Sequence, residues 1–252
     1  MHIAIDVRSL MGGRHSGVEE YTTQIIRAMS TVAPLHTYHL FYNNAKKVTL
    51  PLFRENIVVH PFRYPNKLLH ASQLIFGLPK WDAMLSQHID VVFVPNSHLV
   101  PLSRNVPLVS TAHDIAFERF PEFLTVKRRI KDSLMSPRDL FMRSDRVIAV
   151  SKHTARDLVD VYEMNENNIT VVYTGIVSQR ENVRPVDVQR VLRTYNLPSR
   201  FLLFVGTMEP RKNIGGIIAA FSTIANRVSQ NLVIAGEQGW KMRELMKAVA
   251  AS

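Results

Sequence analysis

The amino-acid sequence predicts an α/β protein built from parallel β-sheets with helices on both faces. Short apolar runs rich in Val and Ile alternate with longer amphipathic stretches along the chain, which is the pattern of repeated βα units. Several of the short runs are apolar at every position, as expected for parallel strands covered on both faces. At 252 residues and 46% hydrophobic content, the chain is long enough for one large domain or two smaller ones.

This alternation predicts nine strands and seven helices. The predicted strands are 3–7, 38–42, 57–61, 91–95, 108–112, 146–150, 169–173, 201–205 and 232–235. The predicted helices are 17–31, 66–76, 126–143, 153–162, 186–195, 213–228 and 240–250. Pro137 is expected to break or kink the helix that contains it, because proline lacks the amide proton that a helix interior requires.

A polar stretch at 177–182 marks the predicted domain boundary, since it follows the last strand-like pattern of the first part of the chain. We therefore predict an amino-terminal domain at 1–176 and a partial second domain at 177–252. The 76 residues after position 176 suffice for two βα units but are few for a complete doubly wound domain.

Composition narrows the functional classes. The chain carries 31 basic and 21 acidic residues, a formal net charge of +10, which favours anionic partners. Basic residues are not interleaved with aromatics in a recognisable nucleic-acid module, so a nucleic-acid partner is not expected. The absence of cysteine excludes disulfides, cysteine zinc sites and a thiol nucleophile. No signal-like segment or long apolar run is present, which predicts a cytoplasmic location.

The first loop, GGRHSGVEEY (12–21), lies between a predicted strand and a predicted helix, where nucleotide-binding proteins often hold phosphate. Its glycines have P-loop spacing, but Val18 and Glu19 occupy the positions of the required lysine and serine or threonine. The glycines also fail the GxGxxG dinucleotide pattern. Ser16 and Glu19 instead predict a capping box. The loop by itself leaves a structural role and a ligand-binding role open.

The junction after the strand 201–205 is a stronger candidate for anion binding. A loop runs from 206 to 213 and leads into an amphipathic helix with glycines at 206, 215 and 216, which allow close approach of a ligand to the backbone. Arg211 and Lys212 lie directly before the helix N-terminus, so positive charge and free amide groups are expected at the same place. The alternative is that both are solvated loop cations.

Four stretches, in this order along the chain, resemble segments of glycosyltransferase family 4, the retaining group 1 enzymes with the GT-B fold. IAIDVRSL with SGVEEYTTQII resembles the first strand, glycine loop and first helix, and VSTAHDIAFERFPEF resembles the segment that carries an active-site histidine. RVIAVSKHTARDLVDVY with ITVVYTGI resembles the end of the first domain, and FLLFVGTMEPRKNIGGIIAAF resembles the donor site. The resemblance implies a GT-B-like fold, with a Rossmann-type domain followed by an incomplete second one.

The resemblance also implies a donor site formed by four residues of the second domain: Gly206, Thr207, Arg211 and Lys212. Lys212 resembles the basic ligand of the donor diphosphate. Many family members carry an arginine where this chain has Thr207, so Arg211 is expected to take its place and share the charge of the leaving diphosphate.

In the first domain, His113 resembles the histidine that contacts the transferred sugar, and it is the predicted catalytic residue. It follows the predicted strand 108–112, and the carboxyl ends of parallel strands are where α/β sheets bind ligands. A lone histidine is otherwise more often structural. Gly13 and Gly17 resemble the glycine loop that faces the substrate cleft in the family.

The family implies transfer of a sugar from a nucleotide-sugar to an acceptor hydroxyl, with no metal, no cofactor and no protein nucleophile. The GTxEPRKN loop resembles bacterial mannosyl- and rhamnosyltransferases of surface polysaccharide synthesis, including lipopolysaccharide, which favours GDP-mannose as donor. Sugar or lipid-linked acceptors are both common. The basic segment at 127–131, with Arg138, Arg143 and Arg146 beyond it, is either a solvated helix face or a contact with anionic lipid on the inner face of the plasma membrane.

Family members carry a Glu-x7-Glu pair in the later part of the second domain, and no two glutamates of this sequence have that spacing. Glu237 and Glu244 miss it by one residue. We therefore expect a second domain that is truncated, and little or no transferase activity from this chain alone. The alternative interpretation is a noncatalytic or partner-dependent fragment that binds a nucleotide-sugar or an acceptor.

Overall fold

The computed structural model describes residues 1–12, 16–44, 50, 54–126, 137–176, 183–239 and 246. The chain divides into two compact units. The first comprises Met1–Arg119 and Val126–Thr174, and the second comprises Phe120–Thr125 and Gly175–Ser252. The predicted linker at 177–182 and all but one residue of the predicted helix at 240–250 lie outside the described residues, and the domain boundary after 176 stays a prediction.

The first unit contains a seven-stranded, fully parallel sheet with strand order β3-β2-β1-β4-β5-β6-β7. Its strands are β1 His2–Asp6, β2 Thr37–Asn43, β3 Ile57–Phe62, β4 Val91–Val94, β5 Leu108–Ala112, β6 Arg146–Ala149 and β7 Ile169–Val171. Its helices are α1 Gly17–Val32, α2 Asn66–Phe76, α3 Trp81–Met84, α4 Ala116–Arg119, α5 Pro137–Arg143 and α6 Lys152–Tyr162. The predicted α/β class with a parallel sheet is confirmed.

Both faces of this sheet are covered, which explains why its strands are apolar at successive positions. In β1, Ala4 belongs to one buried cluster and Ile5 to another, because adjacent side chains point to opposite faces. Ile26 of α1 packs in the cluster of Ile5, whereas Leu69 of α2 packs in the cluster of Ala4. The sheet is therefore the middle layer between two sets of helices.

The helix ends follow from local chemistry. Ser16 caps α1 by accepting a hydrogen bond from Glu19 N at 3.3 Å, and the Glu19 carboxylate accepts one from Ser16 N at 3.1 Å. The predicted capping box is thus confirmed. Gly77 ends α2 at φ 63°, a left-handed conformation that suits glycine. Within the predicted helix 126–143, the helix α5 begins at Pro137, and a missing amide proton costs nothing in the first turn.

The second unit contains α7 Pro185–Thr194, β8 Phe201–Val205, α8 Ile214–Ser222 and β9 Asn231–Ala235. Strands β8 and β9 pair in parallel, and among the described residues of this unit only Ile214 and Ile218 are buried hydrophobic residues. The prediction that α8 continues to 228 is wrong. The Ser222 hydroxyl bonds to the Ile218 carbonyl and the Thr223 hydroxyl to the Ala220 carbonyl, and such bonds compete with helix continuation.

None of the helices in the described parts of the chain is long and apolar enough to cross a membrane.

Three histidines form a hydrogen-bonded row across β1, β2 and β3. His39 Nε2 lies 3.0 Å from His2 Nδ1, and His39 Nδ1 lies 3.1 Å from His60 Nε2. His39 is 2% exposed. Burial, together with the charges that His60 and His2 can carry, lowers the pKa of His39 to about 4. His39 is therefore neutral at pH 7.

We expect acid to destabilise the first unit through His39. Its pKa is lower in the folded state than in the unfolded state, so the unfolded state binds more protons as the pH falls below about 6.5. Between pH 7 and pH 5, this predicts a loss of about 2 kcal/mol in the free energy of unfolding, measured by chemical denaturation. His39→Gln should remove most of that loss. His88→Gln, at a side chain that is 84% exposed, serves as the control, and equal pH dependence in both variants would refute the assignment.

Candidate functional site

The carboxyl ends of the seven parallel strands meet at one edge of the sheet, which we call the carboxyl edge. Polar side chains cluster there: Asp6 ends β1, Asn43 ends β2, Asn96 follows β4, His113 follows β5 and Ser151 follows β6. Open α/β sheets bind ligands at this edge because loops and helix N-termini converge on it. It is the candidate site of the first unit.

The ring of His113 is held in one orientation at this edge. His113 Nε2 lies 3.0 Å from the carbonyl oxygen of Pro95. The rings of His113 and Tyr21 form an edge-to-face contact, with 4.8 Å between their centroids. The Tyr21 hydroxyl in turn lies 3.2 Å from that of Thr111, and the Thr154 hydroxyl donates to the backbone carbonyl of His113. Contacts from the residue after β4, from α1 and from α6 thus hold His113 in place.

The electrostatics make His113 a hydrogen-bond acceptor. Burial lowers the pKa of His113 more than the Pro95 carbonyl and the charge of Asp114 raise it, so the ring is neutral at pH 7. A carbonyl oxygen only accepts hydrogen bonds, which assigns the proton to Nε2. Nδ1 has no partner among the described residues. The atom that remains for a ligand is therefore a neutral acceptor, suited to a hydroxyl group.

A buried ion pair at the end of β1 also lies at the carboxyl edge. The Arg8 guanidinium donates to both carboxylate oxygens of Asp6 at 2.9–3.1 Å and to the Leu99 carbonyl at 3.0 Å. It also lies 5.2 Å from the ring centroid of Trp81. Burial alone would raise the pKa of Asp6, but the charge and hydrogen bonds of Arg8, with a contribution from His98, hold it below its usual range. Sequence reasoning missed this pair, although the spacing Asp-x-Arg at a strand end was visible.

A cavity of about 290 Å³ opens next to the ion pair. Its wall is formed by residues from the end of β1, the end of β2, α2, α3 and the loop after β4: Arg8, Met11, Asn43, Asn66, Leu69, His70, Gln73, Leu74, Trp81, His98, Leu99 and Pro101. Trp81 is fully buried, and its indole Nε1 has no hydrogen-bond partner among the described residues. The cavity combines an aromatic surface with amide, imidazole and guanidinium groups. The sequence could not indicate it, because its wall comes from five separate segments.

The predicted glycine loop is only partly described. Gly13 lies outside the described residues. Gly17 is the exposed first residue of α1, and a methyl group added there would meet no atom within 4 Å. Glu19 is engaged in the capping box. The space in front of Gly17 is therefore open.

The predicted donor residues of the second unit lie together in the loop between β8 and α8. Gly206 has φ +155° and donates to the Ala235 carbonyl at 3.0 Å. A side chain on Gly236 would collide with the carbonyl oxygen of Gly206, so the loops after β8 and β9 touch through their backbones. Thr207 is exposed at this turn. The turn depends on glycine because only glycine tolerates this approach and this φ.

The two predicted cations of this loop have different environments. Arg211 forms an ion pair with Glu209 at 2.7 Å, and the Glu209 side chain is only 9% exposed. Lys212 is exposed and has no ion-pair partner among the described residues. It immediately precedes Asn213, whose side chain makes no capping hydrogen bond at the start of α8. Lys212 therefore supplies the uncompensated positive charge beside the helix N-terminus.

The described part of the predicted basic face is engaged in internal contacts. Arg143 donates to the carbonyls of Ser103 and Val106. Arg146 bonds to the Asn168 side chain, and the Arg138 guanidinium lies 5.8 Å from the ring centroid of Tyr162. The segment 127–131 lies outside the described residues. Within the described ranges, no group of three or more His, Cys, Asp or Glu side chains is placed to hold a metal ion.

We expect Arg8→Met to lower the free energy of unfolding by about 3 kcal/mol, because it leaves the Asp6 carboxylate buried without its partner. The loss should be smaller at pH 4.5 than at pH 7, since the pKa of Asp6 rises once Arg8 is removed and protonation then relieves the buried charge. Chemical denaturation at both pH values measures it. Arg27→Met, on the exposed surface of α1, is the matched control, and equal stability of the two variants would contradict the role of the pair.

A solved structure has a fold similar to that of this chain. The crystal structure of Anabaena Alr3699/HepE in complex with UDP and glucose superposes with a TM-score of 0.60 at 15% identity, covering 100% of this chain and 66% of that one. At this identity the likeness concerns the fold alone. It confirms the GT-B-like α/β fold that the sequence predicts.

Sequence comparison identifies the family. The chain is 21% identical over 248 residues to O-antigen chain mannosyltransferase B of Escherichia coli, over 90% of this chain and 62% of that protein. It is 24% identical over 261 residues to the serotype-specific mannosyltransferase WbdA of Escherichia coli, over 91% of this chain and 31% of that protein. The chain thus spans less than two thirds of either relative. Residues 15–180 match Glycosyltransferase Family 4, and because this match covers well over half of the sequence, the chain belongs to glycosyltransferase family 4.

Proposed function

We propose that this protein takes part in the transfer of mannose, with retention, from GDP-mannose to a hydroxyl group of a sugar or lipid-linked acceptor. The reaction would serve the synthesis of a bacterial surface polysaccharide or glycolipid, in the cytoplasm at the inner face of the plasma membrane. Family membership supports glycosyl transfer, and the two mannosyltransferase relatives support mannose. The observation that carries the proposal is Lys212, which has no ion-pair partner in the described part of the chain and lies beside a glycine turn at the start of α8.

Lys212 is proposed as the main ligand of the donor diphosphate. When the bond between the sugar and the diphosphate breaks, its electrons go to the diphosphate oxygen, and a nearby cation stabilises the negative charge that develops. The amide groups at the start of α8 and the exposed Thr207 beside Gly206 add hydrogen-bond donors. Arg211 is proposed mainly as a positioning residue, since its ion pair with Glu209 fixes the loop and offsets its charge.

His113 is proposed as the residue that contacts the transferred sugar. The bond to Pro95 holds Nε2–H, so Nδ1 can accept a hydrogen bond from a sugar hydroxyl without exchanging a proton. Such a contact orients the sugar, and it needs neither a metal nor a protein nucleophile. Gly13 and Gly17 keep their proposed place near the substrate, and the open space in front of Gly17 supports this for the second of them.

We expect Lys212→Met to weaken binding of GDP-mannose about 10- to 100-fold, because a charge-assisted hydrogen bond contributes roughly 1.5–3 kcal/mol. Isothermal titration calorimetry with GDP-mannose, GDP and UDP-glucose measures the loss and the nucleotide preference. Arg227→Met removes the same charge from an exposed site elsewhere in the second unit and should bind like the parent chain. Unchanged affinity in Lys212→Met would reject the diphosphate assignment.

We further propose that the 252-residue chain by itself turns over little or no substrate. No two of its glutamates have the Glu-x7-Glu spacing, so the carboxylate pair expected to hold the donor sugar and ribose is missing from this sequence. A radiolabel transfer assay with the purified chain, GDP-mannose and a mannosyl acceptor should show no product above background. Micromolar binding without turnover would favour the partner-dependent binding protein, and robust turnover would overturn the proposal of inactivity.

A further inference from the structure

The cavity beside the ion pair of Asp6 and Arg8 has hydrogen-bond donors in its wall that lack acceptors. The guanidinium of Arg8 contacts Asp6 and Leu99 through Nε and Nη2, and its Nη1 group bonds to no residue that the structure describes. The indole Nε1 of the fully buried Trp81 is also without an acceptor in the described ranges. Because a buried donor without an acceptor is destabilising, a ligand that supplies acceptor oxygens is favoured here.

The start of α2 adds further donors to this cavity. Asn66, the first residue of the helix, lies in the cavity wall, and no side chain of the described chain caps the helix N-terminus. An uncapped helix N-terminus carries free N–H groups and partial positive charge, which favour an anion. The side-chain oxygen of Asn66 accepts a hydrogen bond from Asn43, which leaves its Nδ2 group to donate. Donors from three separate elements thus meet at one cavity.

The charge around the cavity is positive. Among the wall residues that the structure describes, none is Asp or Glu. The nearby carboxylate of Asp6 is paired with Arg8. The helix α2 and the loops at its two ends carry Arg63, Lys67 and Lys80 but no acidic residue. Because cations raise the local concentration of anions, these surroundings suit a ligand with a carboxylate or phosphate group.

The remaining wall suits a sugar ring. The cavity volume of about 290 Å³ is close to the lower end for small-molecule sites, which span roughly 300–1,000 Å³. Apolar side chains form part of the wall: Met11, Leu69, Leu74, Leu99 and Pro101. They can pack against the C–H groups of a sugar. Gln73 donates through Nε2 to the Pro79 carbonyl, and its oxygen, which bonds to nothing within the described part of the chain, can accept from a sugar hydroxyl.

We propose that this cavity binds an anionic sugar unit of the acceptor, in which the ring carries a carboxylate or a phosphate. The anionic oxygens accept hydrogen bonds from Arg8 Nη1, from the Trp81 indole and from the start of α2. An acceptor-only group matches these donors better than a neutral hydroxyl does, because a hydroxyl also brings a proton that needs an acceptor. The role as an acceptor site rests on the proposed transfer reaction, whereas binding of the anionic sugar does not.

Isothermal titration calorimetry of the full chain with glucuronate, mannose 6-phosphate and mannose tests the proposal. At least one of the two anionic sugars should bind about tenfold or more tightly than mannose, because charge-assisted hydrogen bonds are stronger than neutral ones. Tighter binding of glucuronate assigns a carboxylate to the ligand, and tighter binding of mannose 6-phosphate assigns a phosphate. Equal affinity for all three sugars, or no binding of either anionic sugar, overturns the proposal.

Asn66→Asp changes the cavity while preserving the fold. The new carboxylate keeps an oxygen that accepts from Asn43, and a negative charge is favourable at a helix N-terminus. Negative charge then enters the cavity wall, so affinity for the anionic sugar should fall about tenfold or more. Ala71→Glu adds the same charge to an exposed position of α2 outside the wall and should bind like the parent chain. Unchanged affinity in Asn66→Asp would reject the site.

Titration of the same variants with GDP-mannose separates this site from the proposed donor site. Asn66→Asp should bind GDP-mannose like the parent chain, because Asn66 lies in the first unit and the proposed diphosphate ligand Lys212 in the second. Loss of both ligands in a variant that circular dichroism shows to be folded would count against a separate site. Binding of the anionic sugar without binding of GDP-mannose would support the cavity and reject the transfer reaction.

Discussion

The buried ion pair between Asp6 and Arg8 is the interaction on which the carboxyl edge depends. A carboxylate that is fully buried at the end of a central strand is stable only when a partner compensates its charge. Arg8 provides that charge and also bonds to Leu99 and lies over Trp81. One side chain thereby joins the end of β1, the loop after β4 and the start of α3. The neighbouring cavity has its shape because these segments are held together.

The sequence predicted the ends of helices and strands well where neighbouring residues determine them. The helix at 66–76 was predicted to the residue, because Pro65 precedes it and Gly77 ends it in a left-handed conformation. Strands β5 and β8 were also exact in extent, and β8 is a uniformly apolar run of the kind that is easy to recognise as a parallel strand. The end of α8 was missed, since hydroxyl groups of Ser222 and Thr223 competed with helix hydrogen bonds. Propensity and periodicity do not register that competition.

Side-chain pairing explains why the candidate site was predicted only in outline. The motif placed two cations in one loop. Glu209, two residues before Arg211, pairs with Arg211, whereas Lys212 has no such partner among the residues that the structure describes. Likewise, the contacts of Arg138 and Arg143 show that part of a basic sequence stretch serves internal packing. A net charge of +10 therefore says little about which cations can meet a ligand. Whether a cation is available to a ligand depends on the partners and the rotamer of its side chain, which the sequence pattern does not specify.

The helix α2 has different surroundings on its two sides. One side supplies Leu69, Gln73 and Leu74 to the wall of the cavity, and Leu74 is still 44% exposed, so it lies at the rim. A helix with its side chains is about 10 Å across. The cavity therefore lies about one helix diameter from the outward surface of α2. A substitution on the outward side therefore acts on the cavity through the packing of one helix, whereas a substitution at Leu69 or Gln73 changes the cavity wall directly.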